Sequence, residues 1–456
     1  MPKKALTTFL LLILFFTNIS LQAQDRAPIR IVSERLVSSA NYSPWLPEPI
    51  KVGPDGKRLA QVGYKQFLIL DGKIYGREYD NIGTPVFSPN GKRVAHAAEL
   101  MGKQFVVVDG MEGKRYDMVK EEGLTFSPDN QGIAYAVGID DRLLMVVDGK
   151  EDAQYDAIGI PIFGPDSQQI AYAAESDGKQ FVVLNGIESK HYDEAGTPVF
   201  NFDGSRMAYA ARLEDKWFMV VNGKAQKQYD GVGAPVFSPD GKKLAYIAQR
   251  GNKQLMVIGG KAGEEHDAIL SNVVFSPNGQ RTAYAAQDVM QQFIVVDDSV
   301  EYLHDSIDGG SLKFSPNSER LAYIAQSHGR WSVVVNGVAG KLYDVIGEDS
   351  PIFSPDSKRI AYVCQLDEKW LVVLDKNEGK YYENIEETSI AFSPDSKYLA
   401  YAASSGDKWF VVVNKKEGRR YDGILEGGNI SFEANNMIRY VAERNNFIYV
   451  IEERFK

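Results

Sequence analysis

One phrase recurs along the whole chain. VFSPNGKRVAHAAE begins at Val86, VFSPDGKKLAYIAQ at Val236, IFSPDSKRIAYVCQ at Ile352 and AFSPDSKYLAYAAS at Ala391. Its proline falls at Pro54, Pro89, Pro128, Pro165, Pro239, Pro277, Pro316, Pro355 and Pro394. Phe202 replaces it in FNFDG and Ala434 in FEANN. Eleven copies therefore follow one another at spacings of 35 to 40 residues. A period of this length means one supersecondary unit repeated, and stacked neighbours give each unit the core it cannot build alone.

Within a copy the pattern reads as four short strands. The clearest runs APVFS (234–238), KKLAYIAQ (242–249), KQLMVIG (253–259) and a last segment ending near His266-Asp267. The first two are joined by SPDG, whose proline suits position i+1 of a type I turn. The third and fourth meet at VVVDG (106–110), VVNG (220–223) or VVVNG (333–337). Asp-Gly and Asn-Gly are strong two-residue hairpin signals, because a type I′ turn needs positive φ at both positions. Beyond the N-terminal apolar region no segment keeps a helical period, so the chain is all-β. Four antiparallel strands per ~40 residues make the blade of a β-propeller. Pro85, Pro161, Pro198, Pro235 and Pro351 fall inside the first strand of a unit. Proline cannot donate to a ladder, so that strand is an edge, which in a propeller faces the central channel.

The expectation is about eleven four-stranded WD-like repeats over 48–456. Uniform spacing favours one continuous array over two rings or an open solenoid. The last copy ends after its third strand (FIYVIEE). IRIVSE (29–34), in an N-terminal arm over 24–47, offers the missing outer strand.

The FSPDGKxxAY element resembles the WD-like repeat of TolB-type propellers, which also occurs in prolyl-oligopeptidase-type peptidases. The resemblance covers about 48–456 and is specific for fold, not activity. It implies a propeller and, for the TolB type, protein partners in the bacterial envelope. The chain departs from that family in its repeat number, since TolB-type rings have six blades. It also leaves no room for that family's N-terminal α/β domain.

The formal net charge of −10 argues against nucleic acid, which requires clustered Lys and Arg. Lys3 and Lys4, the apolar run 9–16 and LQAQ (21–24) read as a signal peptide over 1–23, cut after Ala23. No cysteine lies near that cut to carry a lipid. No later segment is apolar and long enough to insert in a membrane, so a periplasmic or secreted protein is expected. Cys364 is the single cysteine. It fills a slot that other copies give to alanine, so it reads as a buried strand thiol.

Residues for catalysis are not evident. There is no GxSxG elbow, no P-loop, no DxDxDG loop and no His pair at metal-ligand spacing. No cofactor or metal is expected. Each unit ends in a Tyr-Asp-like pair, as at Tyr79-Asp80 and Tyr229-Asp230, with His266-Asp267 and His304-Asp305 as variants. A pair present once per blade reads as a structural corner.

Two features point to binding. Loops leading into the first strand are short in some copies (GVGAP, EAGTP) and longer and acidic in others. The acidic ones carry Glu121, Glu122, Asp308, Glu348, Asp349, Glu386, Glu387 and Glu426. Most of these loops are consecutive near the C-terminus, as neighbours on one rim suited to a basic protein segment or, weakly, to Ca²⁺. The second feature is Trp217, Trp331, Trp370 and Trp409, which share one slot at the start of the third strand. They either pack between blades or form an aromatic strip for sugars or peptides. The expected function is a non-enzymatic exported scaffold for envelope or extracellular proteins. The alternative is a carbohydrate- or peptide-binding module using the tryptophans.

Overall fold

A computed structural model describes residues 30–39, 51–54, 57–62, 66–71, 73–425 and 430–455. It is an all-β propeller of eleven antiparallel blades with almost no helix. The expected signal peptide, Glu426 and parts of the N-terminal arm lie outside the described residues. Blades are numbered 1 to 11 in chain order, and strands one to four run from the channel outward.

Blade 6 shows the plan. Strand one is split into Gly231–Val232 and Val236–Phe237, and both halves pair with strand two, Leu244–Arg250. Strand three is Lys253–Ile258 and strand four is Lys261–His266. Strand two is flanked by sheet on both sides and covered by a neighbouring blade on both faces. That explains why LAYIA is nearly continuously apolar rather than alternating. Alanines at Ala245 and Ala248, fully buried, let the adjoining blades approach. The core is accordingly a series of layers between blades. Ala208, Ala210 and Met219 of blade 5, for example, pack with Leu244, Tyr246 and Leu255 of blade 6.

The turn residues act through their side chains. In SPDG of blade 6, Ser238 Oγ donates to Asp240 Oδ1 (2.6 Å) and accepts from the Lys243 N–H (2.9 Å). In the Asn-Gly hairpin, Asn222 sits at φ 46° and its Oδ1 accepts the Met207 N–H (2.8 Å). The Tyr-Asp corner is structural. Asp230 accepts from Lys216 Nζ (2.6 Å) at the start of strand three in blade 5, and from the Gly251 N–H (2.6 Å) in blade 6. Those hydrogen bonds hold the Asp230 carboxyl below its ordinary range, and Asp193 repeats the arrangement with Lys179 and Glu214.

Blade 11 is completed from the other end of the chain. Arg30–Ser39 runs antiparallel to Phe447–Phe455 as its outer strand. Glu34 accepts from both terminal nitrogens of Arg444 (3.0 and 2.8 Å) and from the Tyr421 hydroxyl (3.0 Å), with Arg419 at 2.9 Å. Burial alone would raise the Glu34 carboxyl, but these partners hold it below its ordinary range. Val52 and Leu59 of blade 1 pack against Val441, Ile448 and Val450 of blade 11, so the blades close into one ring.

Candidate functional site

The described acidic loops, in blades 3, 8, 9 and 10, do not lie on a rim. Residues on both sides of each pair with the same second strand, so each is a bulge within strand one, the innermost strand. In blade 9, Val345–Ile346 and Ile352–Phe353 both pair with Ile360–Leu366, and 347–351 bulge between them. The sequence offered no sign that pairing resumes before the bulge, because the resumed stretch is only two residues long.

Short and long bulges satisfy the backbone differently. In blade 6 the Gly233 N–H bonds the Ile247 carbonyl (2.8 Å), and Pro235 has no N–H to place. The tips of such bulges are Thr84, Ile160, Thr197 and Ala234. In the longer bulges of blades 8, 9 and 10 a buried serine also gives a strand-two N–H an acceptor. Ser350 Oγ accepts from Val363 N–H (3.1 Å), Ser311 from Ile324 (2.8 Å) and Ser389 from Ala402 (2.8 Å). Ser311 and Ser389 also donate to the carbonyls of Asp308 and Glu386, both at 2.6 Å. Sequence reading missed these serines. Their signal was present as a serine four residues before the serine of FSP, at Ser311, Ser350 and Ser389.

The candidate acids fall into two groups. Glu121 and Glu122 stand in blade 3, within Met118–Phe126. Asp308, Glu348, Asp349, Glu386 and Glu387 come together on consecutive blades 8, 9 and 10. One of them is a latch rather than a free charge. Glu387 Oε2 accepts the Glu348 N–H (2.6 Å) and lies over Gly347, where an added Cβ would be 2.7 Å away. The Glu121 carboxylate lies in the same way over Gly83 of blade 2, 2.3 Å from where a Cβ would stand. Glu122, Asp308, Glu348 and Asp349 are exposed, while Glu386 and Glu387 are half-buried. Lys313 of blade 8 donates to the Asp349 carbonyl. Burial pushes its amine down, against the pull of the Asp349 and Asp308 carboxylates.

The four tryptophans do not form an exposed strip. Each is half-buried and packs against the blade that follows: Trp217 with Val232, Trp331 with Ile346, Trp370 with Ile385 and Trp409 with Ile424. Where the slot holds glutamine, its oxygen accepts from the first strand of the next blade. Gln180 takes the Ala195 N–H (3.0 Å) and Gln254 the Ile269 N–H (2.8 Å). Either residue seals the same seam, which is why polar and aromatic side chains alternate there.

Other polar groups are absorbed by the fold. His266 is buried in the Tyr slot with Nδ1 2.9 Å from Asp288, and burial pushes the Cys364 thiol well above its ordinary range. Among the described residues no cluster of His, Cys, Asp and Glu has the arrangement to hold a metal ion.

No protein-family model and no curated protein matches the sequence. Solved structures show similarity at the level of the propeller. A eukaryotic initiation factor aligns over 74% of this chain and 97% of its own, at 11% identity and a TM-score of 0.40. TolB from Acinetobacter baumannii aligns over 47% of this chain and 60% of its own, at 18% identity and a TM-score of 0.26. The β-propeller domain of the Trilobed protease from Pyrococcus furiosus aligns over 57% and 94%, at 13% identity and a TM-score of 0.29.

Proposed function

We propose that the protein is a non-enzymatic, exported scaffold of the TolB-type repeat class, binding a basic segment of an envelope or extracellular protein at the channel face of blades 8 to 10. One observation carries this reading. Asp308, Glu348, Asp349 and Glu386 project on neighbouring bulges of strand one, whereas the tips of blades 4 to 6 are Ile160, Thr197 and Ala234. Like charges gathered beside low-dielectric walls focus the field on a cationic partner. The serine brackets and the Glu387 latch fix the bulges in place, so little order has to be gained on binding. Export rests on the N-terminal pattern of Lys3, Lys4 and the apolar run before Ala23.

The test is capture from envelope extract of the source organism with tagged 24–456. Wild type is compared with a triple variant carrying Glu348→Lys, Asp349→Lys and Glu386→Lys, each captured protein then being re-measured in purified form. A partner whose affinity falls at least about tenfold in the variant, more so at low salt, supports the reading. Equal binding by both proteins overturns it.

A further inference from the structure

On the opposite margin of the ring, a cleft of about 590 Å³ opens between the outer strands of blades 8 and 9 and reaches the turn of blade 10. That volume is within the range of small-ligand sites. Lys341, Tyr343, Asp375, Lys376, Glu378 and Lys415 line it. The two carboxylates are already engaged. Glu378 Oε1 accepts from Lys341 Nζ (2.7 Å) and from the Tyr343 hydroxyl (3.0 Å), and Asp375 Oδ1 accepts the Ile360 N–H (3.0 Å). The hydrogen bond from Lys341 leads in holding the Glu378 carboxyl below its ordinary range.

The lysines are the anomaly. Hairpins between strands three and four use glycine as their second residue at Gly110, Gly149, Gly186, Gly223, Gly260 and Gly337. Blades 9 and 10 put Lys376 and Lys415 there instead, and both face this cleft. Lys415 is held at φ 69°, a left-handed conformation in which a side chain is strained and glycine is not. Neither lysine has an ion-pair partner among the described residues. Three ammoniums face the two carboxylates of Glu378 and Asp375, so the lining carries one net positive charge, and Lys376 and Lys415 are the cations without an ion pair. Blade 7 also holds a side chain in this conformation, Asp298 at φ 62°, so what sets blades 9 and 10 apart is that their residue is cationic and faces a cleft.

We propose that this cleft is a binding site for a small multivalent oxyanion, a phosphate ester or a polycarboxylate, held between Lys376 and Lys415 with Lys341 at the base. The site is separate from the channel face and does not depend on the scaffold reading. An ammonium acts as a compact point charge with three rotatable donors, which suits an oxyanion approached from several sides.

The test is isothermal titration of the full chain with pyrophosphate and with citrate, the two probes separating phosphate from carboxylate preference. Saturable binding by at least one probe, with Kd below about 1 mM at low salt, is expected. The double variant Lys376→Gly and Lys415→Gly restores the residue used by most other blades and relieves the left-handed Lys415, so it should fold while weakening binding at least about tenfold. Lys114→Gln, at the corresponding ion pair of blades 2 and 3, should leave binding unchanged. Absence of saturable heat with both probes overturns the proposal. So does undiminished binding by the double variant, or loss of binding in Lys114→Gln.

Discussion

Blades 4 to 6 and blades 8 to 10 are written in the same repeat and differ mainly where strand one bulges into the channel. On the first side the bulge is a glycine, a small tip and a proline, as in Gly233-Ala234-Pro235, with the Gly233 N–H on the Ile247 carbonyl and no side chain reaching the strand-two donor. On the second side the bulge is longer, carries carboxylates and needs a buried hydroxyl from Ser311, Ser350 or Ser389. The difference shows how a repeat protein acquires a site. In blades 8 to 10 each insertion that displays charge also brings a serine that takes up a buried backbone donor.

The largest expected effect breaks the comparison at those hydroxyls. Ser350→Ala and Ser389→Ala each leave a buried strand-two N–H unmatched and should lower stability by about 1–3 kcal/mol. Thr197→Ala removes an exposed tip and should stay within about 0.5 kcal/mol. Denaturant unfolding gives the difference, and hydrogen exchange should place it at Val363 and Ala402. If the serine and threonine variants lose the same stability, the serines are not brackets.

How much of this was legible in the sequence depends on the scale of the signal. The SPDG turn, the Asn-Gly hairpins and the Tyr-Asp corner each recur often enough to be read as structure, and Asp230 and Asn222 do bond as corner and turn residues, whereas the part played by the SPDG serine was not read. The acids were picked out by composition, but their position was misjudged. Val345–Ile346 is too short to announce itself as a strand, so its bulge looked like a connecting loop. Glu121 and Glu387 read as free charges because nothing in a sequence tells which glycine lies beneath a carboxylate. The Trp slot was ambiguous for a related reason. Glutamine and tryptophan occupy one seam by different means, one by hydrogen bonding and the other by area.

A smaller effect is expected at the glycines beneath the bulges. Gly347→Ala would put a Cβ 2.7 Å from Glu387 Oε2 and should displace its bond to the Glu348 N–H, costing about 1 kcal/mol. At Gly233 the nearest atom to an added Cβ is 3.6 Å away, so Gly233→Ala should be neutral or slightly stabilising, by up to about 1 kcal/mol through the unfolded state. Combining Gly347→Ala with Glu387→Ala in a double-mutant cycle sharpens this. Effects that simply add, with no coupling, would mean that Glu387 does not latch the neighbouring bulge.

The smallest effect concerns the corners feeding the two sides. Blade 5 is entered through Tyr192, whose phenol is pushed well above its ordinary range by burial and by Tyr209, and it does not titrate in acid. Blade 8 is entered through His304, with Nε2 2.9 Å from the Tyr323 hydroxyl. Burial holds that imidazole below its ordinary value, and the Asp305 charge only partly opposes the shift. The unfolded chain therefore binds the proton more readily than the folded one. The stability from a neutral His304 is full above the unfolded value of about 6.5 and is lost as pH falls through the lower folded value. Hydrogen exchange corrected for intrinsic rates should show blade 8 opening relative to blade 5 between pH ~7.5 and ~5.5, the range in which histidine alone changes charge unaided. His304→Tyr should flatten the difference. If blades 5 and 8 soften equally, and the variant softens as wild type does, the acid sensitivity lies elsewhere and the two corners are equivalent.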